Sequence, residues 1–347
     1  MSDETNVKQL LRDVVAGQPV DASLLEDILH EAMAGVCDAV ALGALLAALA
    51  CREPEAEWLV AGARALRSHG VAVRPQVRPL VDTCGTGGDG SGTFNVSTAT
   101  ALVVAGAGCA VAKHGNRGVS SPVGSADVLE ALGVQLEQTP GRARELIDAV
   151  GFAFLFAPAF HPAMRHVVPI RRALGVRTLF NLLGPLASPA RAEFQLVGVY
   201  APSLTAVVAE ALQKLGSEGA MVVHCDGVDE IGLHAVTEGH LLRDGRIEPL
   251  RIAPEDLGLE RAGLAALQGA GDKDGNAALL RRALGGREGA CSDVVAANAA
   301  AALYVAGRAP TLRDGVAIAQ EVMAKGAAER VLARYAESSC VGEGVAS

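Results

Sequence analysis

Aromatic residues are scarce in this chain: seven Phe, three Tyr and one Trp among 347 residues. So thin a supply excludes modules that stack successive bases on aromatic side chains. Positive charge is short as well, because 30 Lys and Arg against 39 Asp and Glu leave a net charge of -9. That is the opposite of the basic footprint of a nucleic-acid binder. Long apolar runs are missing too. The run Ala99–Ala112 has 14 residues, fewer than the roughly 18 that would suggest a bilayer span, so no membrane partner is expected. The opening MSDETNVKQLLRD lacks an apolar core followed by a small-residue cleavage site, and no secretory signal is expected. Cys37, Cys51, Cys84, Cys109, Cys225, Cys291 and Cys340 are odd in number and never form a CxxC pair, which reads as reduced thiols in a cytoplasmic protein. The eight histidines show no zinc-ligand spacing.

What the chain has in excess is glycine, 40 residues, with 50% hydrophobic residues. This length and composition suit one large globular domain or two moderate ones. Helical periodicity dominates the first 70 residues, over 7–16, 24–34, 38–51 and 55–68. From about Val71 the pattern changes. Candidate strands at 77–83, 109–112, 152–156, 194–200 and 221–224 alternate with candidate helices at 97–107, 126–132, 142–150 and 204–215, which predicts crossovers and a mostly parallel sheet. Leu241 and Leu242, then Asp244-Gly245, then Ile247 to Ile252 read as an antiparallel hairpin. The fold class expected is therefore α/β: a mostly parallel central sheet flanked by helices, plus a small all-helical domain.

Four segments carry chemistry. Gly85 to Thr98 (GTGGDGSGTFNVST) places five glycines in eight positions between a strand and a helix. Glycine permits positive φ and exposes backbone N–H groups, and the next helix offers free N-terminal donors, so the loop suits phosphate. Gly85 to Gly90 spells the G-x-G-x-x-G of a nicotinamide fingerprint, but the helix starts several residues too late and no acid stands about 20 residues on; a Walker A loop would need Gly-Lys-Ser/Thr. Asp89 within an anion site suggests a metal or sugar hydroxyls beside the phosphate. Lys113 to Ser121 (KHGNRGVSS) follows the next strand and mixes cations with neutral donors, as several phosphates and a ribose require. Ser120 is not a hydrolase nucleophile, because Pro122 occupies the closing glycine of G-x-S-x-G. In the stretch 156–185, Arg165, Arg171, Arg172 and Arg177 lie at near-helical spacing, with Arg165 and Arg172 expected on one helix face. An arginine beside a cleft suits a planar carboxylate. Finally, Asp229 and Glu230 follow a strand and are hard oxygen ligands suited to Mg²⁺.

These motifs, with GSADVLEALG at 124–133 and GVDEI at 227–231, closely resemble the anthranilate phosphoribosyltransferases of tryptophan biosynthesis, over nearly the whole chain. The resemblance implies a nucleoside phosphorylase/phosphoribosyltransferase-like fold: a helical domain over 1–73 joined by a segment near 164–187, an α/β domain over 74–163 and 188–347, and an active site between them. It also implies transfer of 5-phosphoribose from phosphoribosyl pyrophosphate to the amine of anthranilate. The implied donor contacts are Gly85, Gly88, Asp89, Thr93, Asn95, Val96, Ser97, Thr98, Lys113, His114, Gly115, Asn116, Arg117, Gly118, Val119, Ser120, Ser121 and Ser125. Gly85, Asn116 and Arg171 would hold anthranilate, with Arg171 facing its carboxylate. Ser97, Asp229 and Glu230 would hold two Mg²⁺ ions per subunit, Lys113 and His114 would serve catalysis, and the chain would form a cytoplasmic homodimer. Pyrimidine nucleoside phosphorylases and a non-catalytic nucleic-acid-binding relative share the fold and stand as alternatives. Pro122-Val123 and Gly232 depart from the pattern most common in the family, without removing an implied ligand.

Overall fold

The computed structural model describes residues 3–118, 122–286 and 289–340. Four helices come first: α1 (Asp3–Val15), α2 (Ala22–Ala34), α3 (Ala39–Ala50) and α4 (Ala56–His69). Their starts are set locally. Asp21 accepts the amides of Ser23 and Leu24 ahead of α2, and Asp38 accepts that of Ala41 ahead of α3. Leu25, Ile28, Leu29, Leu45, Leu46 and Leu59 from these helices are fully buried in one apolar cluster.

The rest alternates as the sequence suggests: β1 (Leu80–Thr83), α5 (Val96–Gly106), β2 (Ala110–Gly115), α6 (Ser125–Ala131), α7 (Pro140–Val150), β3 (Phe152–Phe156), α8 (Ala157–Phe160), α9 (Val168–Leu174), α10 (Phe180–Leu183), β4 (Phe194–Gly198), α11 (Leu204–Lys214) and β5 (Gly219–His224). The hairpin β6 (Thr237–Arg243) and β7 (Arg246–Ile252) follows, and then α12 (Lys273–Leu284), α13 (Ala290–Val305), α14 (Leu312–Ala324) and α15 (Ala327–Ser339). One seven-stranded sheet runs in the order β3-β2-β1-β4-β5-β6-β7, parallel through β5 and antiparallel across β6 and β7.

After β1 the chain builds β2 and β3 on one side and later returns to place β4 on the other. The order therefore reverses at β1, and the loop leaving β1 opens where ligands seat in such sheets. That loop is the glycine segment.

Three expectations need correction. Arg165 and Arg172 do not share a helix face. Arg165 lies in a 3-10 turn (Pro162–His166), and α9 starts afresh with Pro169 in its first turn and stops at Gly175, which has φ 63°. Proline fits only a first turn, and a left-handed glycine ends the helix, so the stretch breaks into short pieces. Lys113 and His114 do not lie in a loop after β2 but within it, paired with Phe154 and Leu155 of β3. β1 is shorter at its start than expected, since Pro79 has no N–H for the ladder.

Candidate active site

A cavity of about 640 Å³ lies between the helical part and the sheet. Among the described residues it takes in every substrate, metal and catalytic position that the resemblance implies except Thr98, whose side chain is fully buried away from it. Val119, Ser120 and Ser121 lie outside the described residues.

The glycine loop forms one wall. Gly87, Gly88, Gly90 and Gly92 all have φ between 63° and 76°, so their carbonyls and N–H groups turn in ways a side chain would resist. Gly85 has another reason to be glycine: a Cβ there would lie 3.1 Å from Cγ of Asp229 and nearer still to Oδ2. Asp229 Oδ2 accepts Gly87 N–H at 2.7 Å, and Asp229 N–H donates to Asp89 Oδ2 at 3.3 Å. The far side of the loop is tied down by Phe94 N–H to Leu267 O (3.0 Å) and by Gln268 Nε2 to Ser91 O (2.8 Å). At the start of α5 no side chain of the N-cap residue Asn95 caps the helix; Val96 N–H instead donates to Phe94 O at 2.7 Å, and Ser97 N–H to the Glu230 carboxyl.

Lys113 and Asp82 sit beneath. The Lys113 ammonium is nearly fully buried and donates to Thr83 O at 2.6 Å and Ser97 Oγ at 3.2 Å. Asp82 is wholly buried under it. Its Oδ1 accepts His114 N–H at 3.2 Å, and Oδ2 has no partner among the described residues. Burial pushes the Asp82 carboxyl up to about 7, opposed by Lys113. The His114 ring nitrogen Nδ1 is 3.0 Å from Gly184 O. A carbonyl can only accept, so Nδ1 carries the proton and Nε2 keeps a lone pair. Burial and the neighbouring His161 ring, 5.1 Å away, hold His114 down at about 3, so it stays neutral.

Acidic groups meet at the end of β5. Burial, and then Asp89, push Asp229 up to about 7; burial, and then Asp229, hold Glu230 well above its usual range, even though Ser97 N–H donates to it. Carboxyls crowded in this way invite a cation. Among the described residues no group of three or more His, Cys, Asp or Glu is arranged to chelate a metal unaided. The donor set thus fits Mg²⁺, which takes few protein carboxylates and fills its remaining positions from phosphate oxygens and water.

The opposite wall comes from the helical side. Arg171 lies over the Phe180 ring at 5.6 Å and donates to Asn181 Oδ1 at 3.4 Å. Burial holds its guanidinium below the usual value, and no acid pairs with it among the described residues. Arg165 lines the cavity, whereas Arg172 does not. Arg117 also lines it, yet its guanidinium is committed to Asp127 and Glu130, each at 2.9 Å. That leaves Arg117 poorer as a phosphate ligand than its charge suggests. Ser125 Oγ donates to Asn116 O at 3.2 Å, and Asn95 Nδ2 to Val123 O at 3.3 Å, so the second loop is braced from both sides.

The glycosyl transferase family pattern matches this chain in two parts, its helical bundle domain over residues 8–70 and its a/b domain over residues 77–329. Anthranilate phosphoribosyltransferase of Symbiobacterium thermophilum is 47% identical over 95% of this chain and 97% of its own. The chain belongs to the anthranilate phosphoribosyltransferase family. The Thermus thermophilus enzyme has a crystal structure with TM-score 0.90 and 46% identity, over 96% of this chain and 99% of that one. The Saccharomyces cerevisiae enzyme was solved with PRPP and Mg (TM-score 0.88, 27% identity, 97% of this chain and 98% of that one) and with 4-fluoroanthranilate (TM-score 0.86, 26% identity, the same shares).

Three residues were not singled out from sequence. Asp82 looked like ordinary strand, and only its burial marks it. Asn181, in FNLLGP, orients Arg171 and accepts Thr178 N–H at 3.0 Å. Arg177 was weighed only as one of several cations; it stacks on Tyr200 at 4.4 Å and donates to Gly88 O, joining the α9–α10 segment to the glycine loop. The cationic run contained that signal, but spacing alone could not separate Arg177 from Arg172.

Proposed function

We infer that this protein transfers 5-phosphoribose from phosphoribosyl pyrophosphate to the amine of anthranilate, giving N-(5-phosphoribosyl)anthranilate and pyrophosphate, a step of L-tryptophan biosynthesis. The observation that carries this reading is one cavity holding a phosphate cradle on one wall and, on the other, an arginine without an acid of its own. The phosphorylase and nucleic-acid-binding alternatives are not favoured, since neither calls for a free carboxylate seat beside a pyrophosphate site.

In this reading Gly88, Asp89, Thr93, Asn95, Val96 and Ser97 hold the donor with Lys113 to Asn116, Gly118 and Ser125, while Arg117 braces the second loop through Asp127 and Glu130. Arg171, oriented by Asn181, holds the carboxylate of anthranilate. Breaking the bond at C1 of ribose leaves positive charge on the sugar and negative charge on the departing pyrophosphate. Stabilising the leaving group is therefore the main electrostatic task. Lys113, fixed by Thr83 and Ser97, sets a positive charge at the head of the glycine loop. Mg²⁺ supplies further charge neutralisation when bound, and Asp229, Glu230 and Ser97 are the residues that would hold it, as two ions per subunit. The amine of anthranilate is neutral at pH 7, so no strong base is needed. His114 accordingly acts as a weak acceptor and not as an obligatory base. Bringing the amine in line with C1 supplies much of the remaining rate.

The division into a helical part (1–73, with 164–187) and an α/β part (74–163 and 188–347) puts a substrate seat on each. Exposed Val15, Val36, Val40 and Val176 on the helical part favour a homodimer formed there. Seven free cysteines favour a cytoplasmic setting; among the described residues no helix is long and apolar enough to cross a membrane. The test is incubation with phosphoribosyl pyrophosphate, Mg²⁺ and anthranilate. Anthranilate fluorescence should fall as pyrophosphate appears in equal amount; folded protein that consumes neither would defeat the assignment.

A further inference from the structure

A second cavity, about 250 Å³, opens away from the catalytic cleft and is lined by Arg64, Arg67, Ser68, Arg191, Lys214 and Leu215. Four of these six are cations and none is an acid, on a chain whose net charge is -9. The six come from three places: the end of α4, the segment returning to the sheet before β4, and the end of α11. Two cations are already paired outside the cavity, Lys214 with Glu57 at 2.9 Å and Arg64 with Glu26 at 3.6 Å.

The other two, Arg67 and the exposed Arg191, line the same cavity. Arg67 is half-buried, and its Nε donates to Leu186 O at 2.9 Å, which ties the guanidinium to the segment that returns to the sheet. Burial, and then the charge of Arg191, hold Arg67 down at about 10. Arg191 has φ 50°, a left-handed conformation that a long side chain adopts at a cost. Glycine would fit there without strain. The backbone thus carries an arginine, not a glycine, at a left-handed position beside a cavity that already holds Arg67.

Two guanidinium groups in one concavity whose lining holds no acid suit a tetrahedral oxyanion, which each can bind by bidentate, charge-assisted bonds. We propose that this cavity binds a phosphoryl oxyanion, inorganic phosphate or pyrophosphate, at the junction of the helical part and the sheet. Occupancy would tie α4 to the returning segment and to α11.

The test uses the full-length chain and reads amide hydrogen exchange segment by segment, with inorganic phosphate, with pyrophosphate, and with chloride at matched ionic strength. The variant is Arg191→Gly, which removes the guanidinium and suits the φ already present. In the wild-type chain either phosphoryl anion should slow exchange at 64–70 and 187–193, and the one acting at lower concentration is the natural occupant. In Arg191→Gly that protection should need at least ten-fold more anion, while the response of the glycine loop at 85–98, basal activity and melting temperature are held or improved. Equal protection by chloride, an Arg191→Gly response like that of wild type, or protection confined to 85–98 would each overturn the proposal.

Discussion

Replacing Gly85 with alanine should damage the site through one contact. The new methyl would lie 3.1 Å from Asp229 Cγ and nearer still to Oδ2. Carbon atoms settle at about 3.5 to 4.0 Å, so the carboxylate must retreat by roughly half an ångström or the loop must shift. Retreat breaks the 2.7 Å bond from Gly87 N–H to Asp229 Oδ2. A hydrogen bond to a charged group contributes about 1.5 to 3 kcal/mol, and overpacking costs about 1 to 3 kcal/mol. The loss of kcat/KM at limiting Mg²⁺ should therefore be about 10- to 150-fold, with a melting temperature lower by a few degrees. Steady-state rates across a Mg²⁺ titration measure the first effect, and calorimetry the second. A double-mutant cycle with Asp229→Ala isolates the cause, because the methyl has little left to strike once the carboxylate is gone. If Gly85→Ala costs as much on the Asp229→Ala background as alone, or if its Mg²⁺ curve is unchanged, the contact is not the reason for glycine here.

Three further outcomes follow from the same geometry. Arg171→Ala should raise the KM for anthranilate by about 10- to 150-fold, the loss of one charged hydrogen-bonding group, with a smaller effect on the donor; unchanged anthranilate kinetics would remove Arg171 from the carboxylate seat. Arg177→Ala severs the tie to Gly88 and should raise the donor KM more than the anthranilate KM, whereas the reverse ranking would place Arg177 with the acceptor. Burial raises the Asp82 carboxyl from its usual 3.8 to about 7, so its contribution to stability is full below the lower value and is lost as pH rises through the upper one, a swing on the order of 4 kcal/mol. In Asp82→Asn the melting temperature should vary less between pH 4 and 8 than in wild type; an identical pH dependence would mean that the buried carboxyl is not the group titrating.

Much of this was legible in the sequence because the signals are local. Asp-Gly at 244–245 marks the β6–β7 turn, with Asp244 and Gly245 both at positive φ. The glycine loop announces itself by composition, and period-3.6 patterning locates α1 to α4. Lys113 and His114 were misplaced into a loop because a polar pair seldom belongs to a central strand; long-range packing against Thr83, Ser97 and Asp82 stabilises them there. The arginine stretch misled for a different reason. Near-helical spacing persists across Pro169 and Gly175, but the backbone cannot continue through either, so periodicity spanned three separate elements. Asp82 and Arg177 gain their significance only from residues more than ten positions away, which no local pattern records.

The central claim is that a carboxylate seat on the helical side faces a phosphate cradle on the sheet. Its most direct measurement compares anthranilate with aniline, which keeps the amine and lacks the carboxylate, as acceptors with Mg²⁺ and saturating phosphoribosyl pyrophosphate. Pyrophosphate release should be rapid and stoichiometric with anthranilate and, at equal concentration, slower by at least ten-fold with aniline. Comparable rates for the two acceptors would contradict the claim.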